Sequence, residues 1–312
     1  TTPDIKVQAV KRLGGDVVLH GDSFDVANKY AIQRAKDEGM TFIPPYDDEL
    51  VMAGQGTIGN EILRQWRDVD YVFVAVGGGG LIGGVAAYLG DVAPHVKVIP
   101  VEYDESACLK AAFEAGERVV LPSVGLFADG TAVAQIGEKP FEVIQLMKSD
   151  NSGPIVEREV VLVNTDEICA AIKDTYDECR SIVEPSGAMA LAGIKKYVAE
   201  HGLENKNLVS IVCGANMNFD RLRYIAERTE LGERKEAIFA VTIPEEKGSF
   251  LNFCRALQGR NITEFNYRAS HSSAAQVFVG ISLKGGEKER HEIFDTLKFH
   301  YDVDDLSDDE VA

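Results

Sequence analysis

The run Tyr71-Val-Phe-Val-Ala-Val76 reads as a buried strand, and it passes straight into Gly77-Gly78-Gly79-Gly80 and then the small-residue stretch Leu81-Ile82-Gly83-Gly84. A chain that carries four glycines through its packed interior needs backbone approaches that no side chain would allow. A helix that starts there presents unsatisfied N–H groups and the positive end of its dipole. Such a strand–turn–helix corner is suited to anions, phosphates above all. It also commits the chain to an α/β architecture, because a continuously apolar strand has to be covered on both faces.

The rest of the chain agrees with that commitment. Short β-like runs at 16–20, 41–44, 70–76, 96–101, 160–163 and 208–213 alternate with helical periodicity over 4–13, 24–38, 47–66, 106–115, 139–148, 165–180, 186–201 and 219–233. This alternation predicts a mainly parallel sheet with helices on both faces. Thr165, followed by acidic residues, is the predicted cap of its helix. The charged stretch 230–236 marks a boundary, and beyond it the pattern becomes βαββα: strand 237–243, helix 249–257, strands 261–268 and 275–283, helix 287–299. A further strand at 301–305 would complete a ferredoxin-like split βαβ sandwich. The expected units are therefore 1–56, the remainder of a small subdomain; 57–233, a large ligand-binding domain; and 236–312, the α+β module.

Composition excludes several classes. Asp and Glu number 50 against 32 Lys and Arg, and the net charge of −18 opposes binding to nucleic acid or to an anionic membrane. Five cysteines (Cys108, Cys169, Cys179, Cys213 and Cys254) form no CxxC pair and leave one over, which argues for a reducing compartment and against zinc or a disulfide framework. No apolar run approaches membrane-spanning length. The histidines show no metal-ligand spacing, and the sequon Asn261-Ile-Thr263 falls in a predicted strand. The chain opens on Thr1 and enters an amphipathic pattern at once, so it is expected to be cut from something longer.

The glycine loop admits more than one ligand. Gly78-x-Gly80-x-x-Gly83 satisfies the dinucleotide fingerprint, and the next strand ends at Glu102, where a ribose-binding acid would stand, so an NAD-dependent oxidoreductase is an open alternative. Against it, the loop follows several earlier elements, and four glycines make a broader amide nest than a pyrophosphate turn needs. Tight helix–sheet packing would also explain glycines here. Two further segments bear on the choice. Glu184-Pro185-Ser186-Gly187-Ala188 places an acid and a proline ahead of a helix, and Cys213-Gly214-Ala215-Asn216 puts a thiol and an amide at the carboxyl edge of the last strand. Open parallel sheets bind their ligands at that edge.

The segments VGGGGL, VGLFADGTAV, EPSGAMALAG, CGANMNFDRLR and AVTIPEEKGSF occur here in the order found in the biosynthetic threonine deaminases (threonine ammonia-lyases), which the chain resembles over essentially its whole length. That family belongs to the fold type II pyridoxal phosphate enzymes. The resemblance implies a tryptophan synthase β-like parallel sheet and pyridoxal 5'-phosphate as cofactor. Its phosphate would be cradled by Gly77, Gly78, Gly79, Gly80 and Leu81, with Cys213 facing the pyridine nitrogen. The implied reaction turns L-threonine into 2-oxobutanoate and ammonia, the first step of isoleucine biosynthesis, with L-serine as a second candidate substrate. L-isoleucine is the implied feedback effector, a homotetramer the implied assembly, and bacterial cytoplasm or plastid stroma the implied compartment.

The sequence also departs from the family. The Schiff-base lysine of the family lies in a Ser-Phe-Lys-x-Arg-Gly type motif that has no counterpart in these residues, so no catalytic residue is named and the chain alone is expected not to deaminate threonine. Lys6, Lys11 and Lys29 read as solvated helix charges. Relatives that hold a divalent cation carry a Glu-x-x-x-Ala-x-Asp pattern. Here Glu102 and Ser106 match, but Cys108 stands where the second carboxylate would be, so no metal is expected. Phe250, Arg260 and Tyr267 fall where the family's isoleucine groove is lined, although Phe250 also reads as helix core and Arg260 as a solvated turn residue. A non-catalytic, amino-acid-binding regulatory fragment is the remaining alternative.

Overall fold

The computed structural model describes residues 2, 4–146, 155–232, 235–269 and 274–307. Along the chain run α1 (Asp4–Arg12), α2 (Phe24–Glu38), α3 (Glu49–Gln65), β1 (Tyr71–Ala75), α4 (Gly80–Val92), β2 (Lys97–Tyr103), α5 (Cys108–Ala115), α6 (Glu138–Leu146), β3 (Val161–Val163), α7 (Thr165–Cys179), α8 (Pro185–His201), β4 (Leu208–Ser210) and α9 (Arg221–Gly232). Then follow β5 (Glu236–Pro244), α10 (Ser249–Ala256), β6 (Ile262–Ala269), β7 (Ala274–Ser282), α11 (Gly286–Lys298) and β8 (Asp302–Asp305). The chain divides into two compact units, Thr1–Leu222 and Arg223–Ala312. That division falls near the start of α9, ahead of the charged stretch 230–236 where the sequence pattern changes.

The first unit is built on a parallel sheet of order β3-β2-β1-β4, with Tyr71 opposite both Lys97 and Leu208. The connections from β1 to β2 to β3 step outward on one side of β1, and the chain then returns through α7 and α8 to lay β4 on the other side. β1 and β4 therefore flank the point where the winding direction reverses. In open α/β sheets a crevice forms there, at the carboxyl ends of the strands.

Packing on the two faces follows the strand alternation. Val72, Val74 and Val76 join Ile82, Val85 and Leu89 of α4 in one buried cluster. Phe73 faces the other way and meets Tyr197 of α8 edge-on at 5.5 Å. Each such large apolar side chain taken out of water contributes about 1.5–3 kcal/mol. Close helix packing depends on glycine, as Gly84 and Gly193 illustrate. A Cβ at Gly84 of α4 would strike the backbone of Met52 and Gly56 in α3, and one at Gly193 of α8 would strike Val101 of β2.

Three expectations need correction. The runs 16–20 and 41–44 form no strand, although their sequences are β-like. A strand needs a neighbour to take its N–H and C=O groups, and among the described residues no ladder includes these segments; Val18, Leu19 and Ile43 are 51%, 64% and 72% exposed. The cap of α7 is Asn164 rather than Thr165: Asn164 accepts the Glu167 N–H at 2.9 Å while Glu167 accepts the Asn164 N–H at 2.8 Å, a reciprocal capping box. Finally, a boundary after residue 56 would cut through α3, so the two segments expected as separate domains share that helix.

In the second unit β5–β8 form an antiparallel sheet of order β6-β7-β5-β8, with Val241 opposite both Val277 and Val303. With α10 and α11 the order is βαββαβ, the ferredoxin-like arrangement. Phe239, Val241, Val277 and Val279 alternate inward onto Phe253 and Leu257 from the α10 segment and onto Ile293 and Leu297 of α11. Among the described residues no helix is long and apolar enough to cross a membrane.

Candidate functional site

β1 runs directly into the glycine loop, and the Val76 N–H still bonds the Val101 carbonyl at 2.8 Å. Gly79, at φ 87°, is the N-cap of α4 and offers no side-chain cap, so the amides of the first turn are left for another acceptor. Two neighbouring loops close on the glycines. A Cβ at Gly78 would collide with the Tyr46 ring, one at Gly80 would lie 2.9 Å from the Tyr46 Cα, and one at Gly77 would lie 2.8 Å from the Thr131 Cα. Between them is a cavity of about 260 Å³ walled by Gly77, Gly78, Gly79, Gly80 and Leu81, with Tyr46, Asp129, Thr131 and Cys213 among the other lining residues. The glycine loop follows β1 and Cys213 follows β4, so the cavity sits at the winding reversal.

Cys213 reaches solvent at the cavity, yet its thiol is crowded by protein atoms. That crowding, with the charge of Glu184 added, pushes its pKa up to about 11. Its S–H donates to the Ser186 carbonyl at 3.4 Å, which ties the end of β4 to the start of α8.

Asp129 holds two cations, Lys6 at 3.0 Å and Arg221 at 3.5 Å, and Arg221 also donates to the Phe127 carbonyl at 2.9 Å. Lys6 is thus an ion-pair partner of a cavity-lining acid rather than the solvated charge its helix pattern suggested. Periodicity along α1 carries no information about which loop its face meets. Asp129, Gly130 and Thr131 belong to the VGLFADGTAV segment, and the Asp-Gly-Thr turn signal was the only local sign of their place in the site.

Glu102 is fully buried at the end of β2, and its carboxylate accepts the N–H of Leu109 at 2.8 Å and of Lys110 at 2.9 Å. It closes the N-terminus of α5, whose N-cap, Ala107, has no side chain able to do so. Burial pushes its pKa up to about 7 against the opposing pull of those hydrogen bonds. The acid that the dinucleotide reading needed for a ribose is therefore committed to a helix end. Cys108 donates to the Gly77 carbonyl at 3.3 Å, and burial together with Glu102 drives its thiol pKa well up.

In the second unit Phe250 meets Phe265 edge-on at 5.0 Å. With Ile243, Glu246, Ser249 and Tyr267 these rings line a cavity of about 300 Å³ at the start of α10. Phe250 is 47% exposed, so it is wall and not core. The Tyr267 hydroxyl is taken by Glu245. Arg260 does not join them. Its guanidinium pairs with Glu289 at 3.2 Å and donates to the Leu257 carbonyl at 3.3 Å. Arg260 precedes β6 by two residues, and Tyr267 lies near the far end of that strand. Arg260 does not line this cavity.

A parallel α/β sheet with a glycine-built helix start and a neutral thiol at its winding reversal defines a binder of small phosphorylated cofactors. The residues fit such a group: the loop has the space that side chains would fill, and the uncapped amides of α4 supply donors. Residues 1–214 match the model of the pyridoxal-phosphate dependent enzyme family, and residues 227–312 match that of the C-terminal regulatory domain of threonine dehydratase. The chain belongs to the pyridoxal-phosphate dependent enzyme family. It is 51% identical over 312 residues to the biosynthetic L-threonine dehydratase IlvA of Escherichia coli K12, covering 100% of this chain and 59% of that protein. It is 48% identical over 316 residues to the mitochondrial threonine dehydratase of Schizosaccharomyces pombe, covering 100% of this chain and 51% of the relative. The processed form of threonine deaminase isoform 2 from Solanum lycopersicum superposes with a TM-score of 0.68 at 46% identity, over 74% of this chain and 61% of that one. The chain thus spans about three-fifths of the length of the bacterial relative.

Proposed function

We propose that this chain carries the cofactor-holding and effector-holding parts of a pyridoxal phosphate-dependent threonine deaminase. The whole protein would convert L-threonine, and L-serine as a second substrate, in the first step of isoleucine biosynthesis; the threonine product is 2-oxobutanoate, released with ammonia. One observation carries the reading: Gly77–Gly80 from the end of β1 and Cys213 from the end of β4 wall a single cavity. The dehydratase names of relatives at about half identity support the reaction class.

Bound pyridoxal phosphate supplies an electron sink for loss of the α-proton and departure of the β-hydroxyl. The amides of Gly77 to Leu81 would hold the phosphate, and the helix dipole would complement its charge. Cys213, kept as a thiol, would be the neutral partner of the ring nitrogen. A neutral partner leaves the ring less electron-withdrawing than a carboxylate would, which suits elimination. Phe24, Pro45 and Tyr46 form an apolar side of the cavity and limit water. No residue of this chain is assigned as the base, because the family's lysine motif has no counterpart here. The 312-residue chain is therefore proposed to bind cofactor without turnover.

The cavity of Phe250, Phe265 and Tyr267 is proposed for L-isoleucine, with the aromatic rings against its aliphatic side chain. Arg260 does not line that cavity. A homotetramer is proposed for the whole protein. For location, bacterial cytoplasm and plastid stroma are joined by a third candidate, the mitochondrion, which the name of the fission-yeast relative carries.

Titrating pyridoxal phosphate into the 312-residue chain, with fluorescence and absorbance as readouts, tests the cofactor site. Saturable uptake is expected in the wild type and its loss in Gly78→Val. Equal uptake by both would overturn the site. Ammonia release from threonine by the chain, freed of contaminating enzyme, would overturn the inactive part of the proposal.

A further inference from the structure

Glu184 is a buried carboxylate, 8% exposed, and among the described residues no cation pairs with it. It occupies the N-cap position of α8 but does not cap that helix. Its side chain turns instead to the loop after β4. There its Oε2 accepts the Asn216 N–H at 2.8 Å, while its own backbone N–H donates to the Gly214 carbonyl at 3.1 Å. The opposite faces are cleared for it. A Cβ at Gly214 would strike the carboxylate, and one at Gly130 would come within 3.1 Å of it. Cys213 is anchored to the same helix start through the Ser186 carbonyl at 3.4 Å.

The carboxylate that acts on Cys213 is that of Glu184. From the loop across the cavity comes Asp129, and the cations that hold Asp129, Lys6 on α1 and Arg221 on α9, do not themselves line the cavity. Tyr46 faces it from the remaining wall without a charge. Burial pushes the Cys213 thiol up to about 11, and the charge of Glu184 adds to it.

We propose that Glu184 is the positioning residue for Cys213, locking the 213–216 turn and holding a neutral thiol at the cavity, whose S–H turns from the Ser186 carbonyl to an acceptor that enters. A donor of that kind matches the unprotonated nitrogen of a pyridine ring, so the proposal deepens the cofactor reading above and rests on it for the identity of the acceptor.

The test uses the unliganded 312-residue chain and follows iodoacetamide modification of the Cys213 peptide by mass spectrometry from pH 7 to pH 11, with exposed Cys179 as internal reference. Glu184→Gln keeps an acceptor oxygen for Asn216 and removes the charge. Its Cys213 rate at pH 8 is expected to rise about threefold for each unit its thiol pKa falls, the larger thiolate fraction outweighing its lower nucleophilicity, with Cys179 unchanged. Hydrogen exchange at 214–216 should stay slow in Glu184→Gln and become fast in Glu184→Ala. An unchanged Cys213 rate in Glu184→Gln would overturn the charge role, and unchanged exchange in Glu184→Ala would overturn the locking role. If neither variant folds, the wild type decides: a Cys213 midpoint in the ordinary thiol range overturns the proposal. Because the thiol is read without cofactor, these failures are distinct from a chain that takes up no pyridoxal phosphate, which would overturn the cofactor reading instead.

Discussion

The Cys108 thiol at the start of α5 donates to the carbonyl of Gly77 at 3.3 Å, in a fully buried contact. It holds the carbonyl of the first glycine of the loop, and Cys108 itself does not line the cavity. Cys108→Ala removes the donor and leaves a small void, with an expected loss of about 1–2 kcal/mol in stability. Pyridoxal phosphate uptake should weaken severalfold, and Cys108→Ser should restore part of it. Urea unfolding and cofactor titration on the same samples check both.

Glu102 makes stability depend on pH. Its folded pKa of about 7 lies above its ordinary value of 4.5, so the folded state holds the proton more tightly than the unfolded chain does. The associated stability is fully present below pH 4.5 and is lost as pH rises through about 7, on the order of 3 kcal/mol at most. Glu102→Gln cannot titrate there. The stability difference between wild type and variant, measured by urea unfolding from pH 4.5 to pH 8, should move in favour of the variant as pH rises; a constant difference would contradict the assignment.

The contact of α3 with α4 has no room for a side chain at Gly84, where the obstacle is the backbone of Met52 and Gly56. Gly84→Val should destabilise by about 1–3 kcal/mol or more, since backbone cannot yield as a flexible side chain does. Gly39, a left-handed helix end with open space around it, provides the contrast. Gly39→Asn should cost well under 1 kcal/mol, because Asn tolerates that conformation. Thermal unfolding of both variants gives the comparison.

Isoleucine binding should separate Phe250 from Arg260. Phe250→Ala removes a wall of the cavity at the start of α10 and is expected to abolish thermal stabilisation by L-isoleucine. Arg260→Gln breaks a half-buried pair with Glu289, costing about 1 kcal/mol, and should leave the isoleucine-dependent shift in place. Differential scanning calorimetry with and without L-isoleucine distinguishes the two. Loss of the shift in Arg260→Gln would return that residue to the site.

Much of the fold was legible in order and kind. Hydrophobic periodicity located α2, α3, α7 and α8 and the strands β1, β2 and β5–β7 to within a few residues, because each is amphipathic or continuously apolar over its own length. The failures share a cause. The segments 16–20 and 41–44 have β-like side chains, but being a strand is a property of a pair, and no described ladder takes them. Lys6 looked solvated because a helix pattern shows which face is polar and not what stands opposite. Arg260 was grouped with Phe250 and Tyr267 by resemblance, and its guanidinium pairs with Glu289.

By itself the sequence determined the local grammar: the strand leading into Gly77–Gly80, the alternation of helices and strands, and the change of pattern near the charged stretch 230–236. These are short-range properties, set by which residues lie within a turn or two of one another. Only the tertiary structure decided that β4 returns to the far side of β1 and so brings Cys213 over a glycine loop more than a hundred residues earlier. It likewise turned Glu102 inward to close a helix and Glu184 toward the Cys213 turn. Such placements arise from strand pairing and packing between residues distant along the chain, and no local pattern records them.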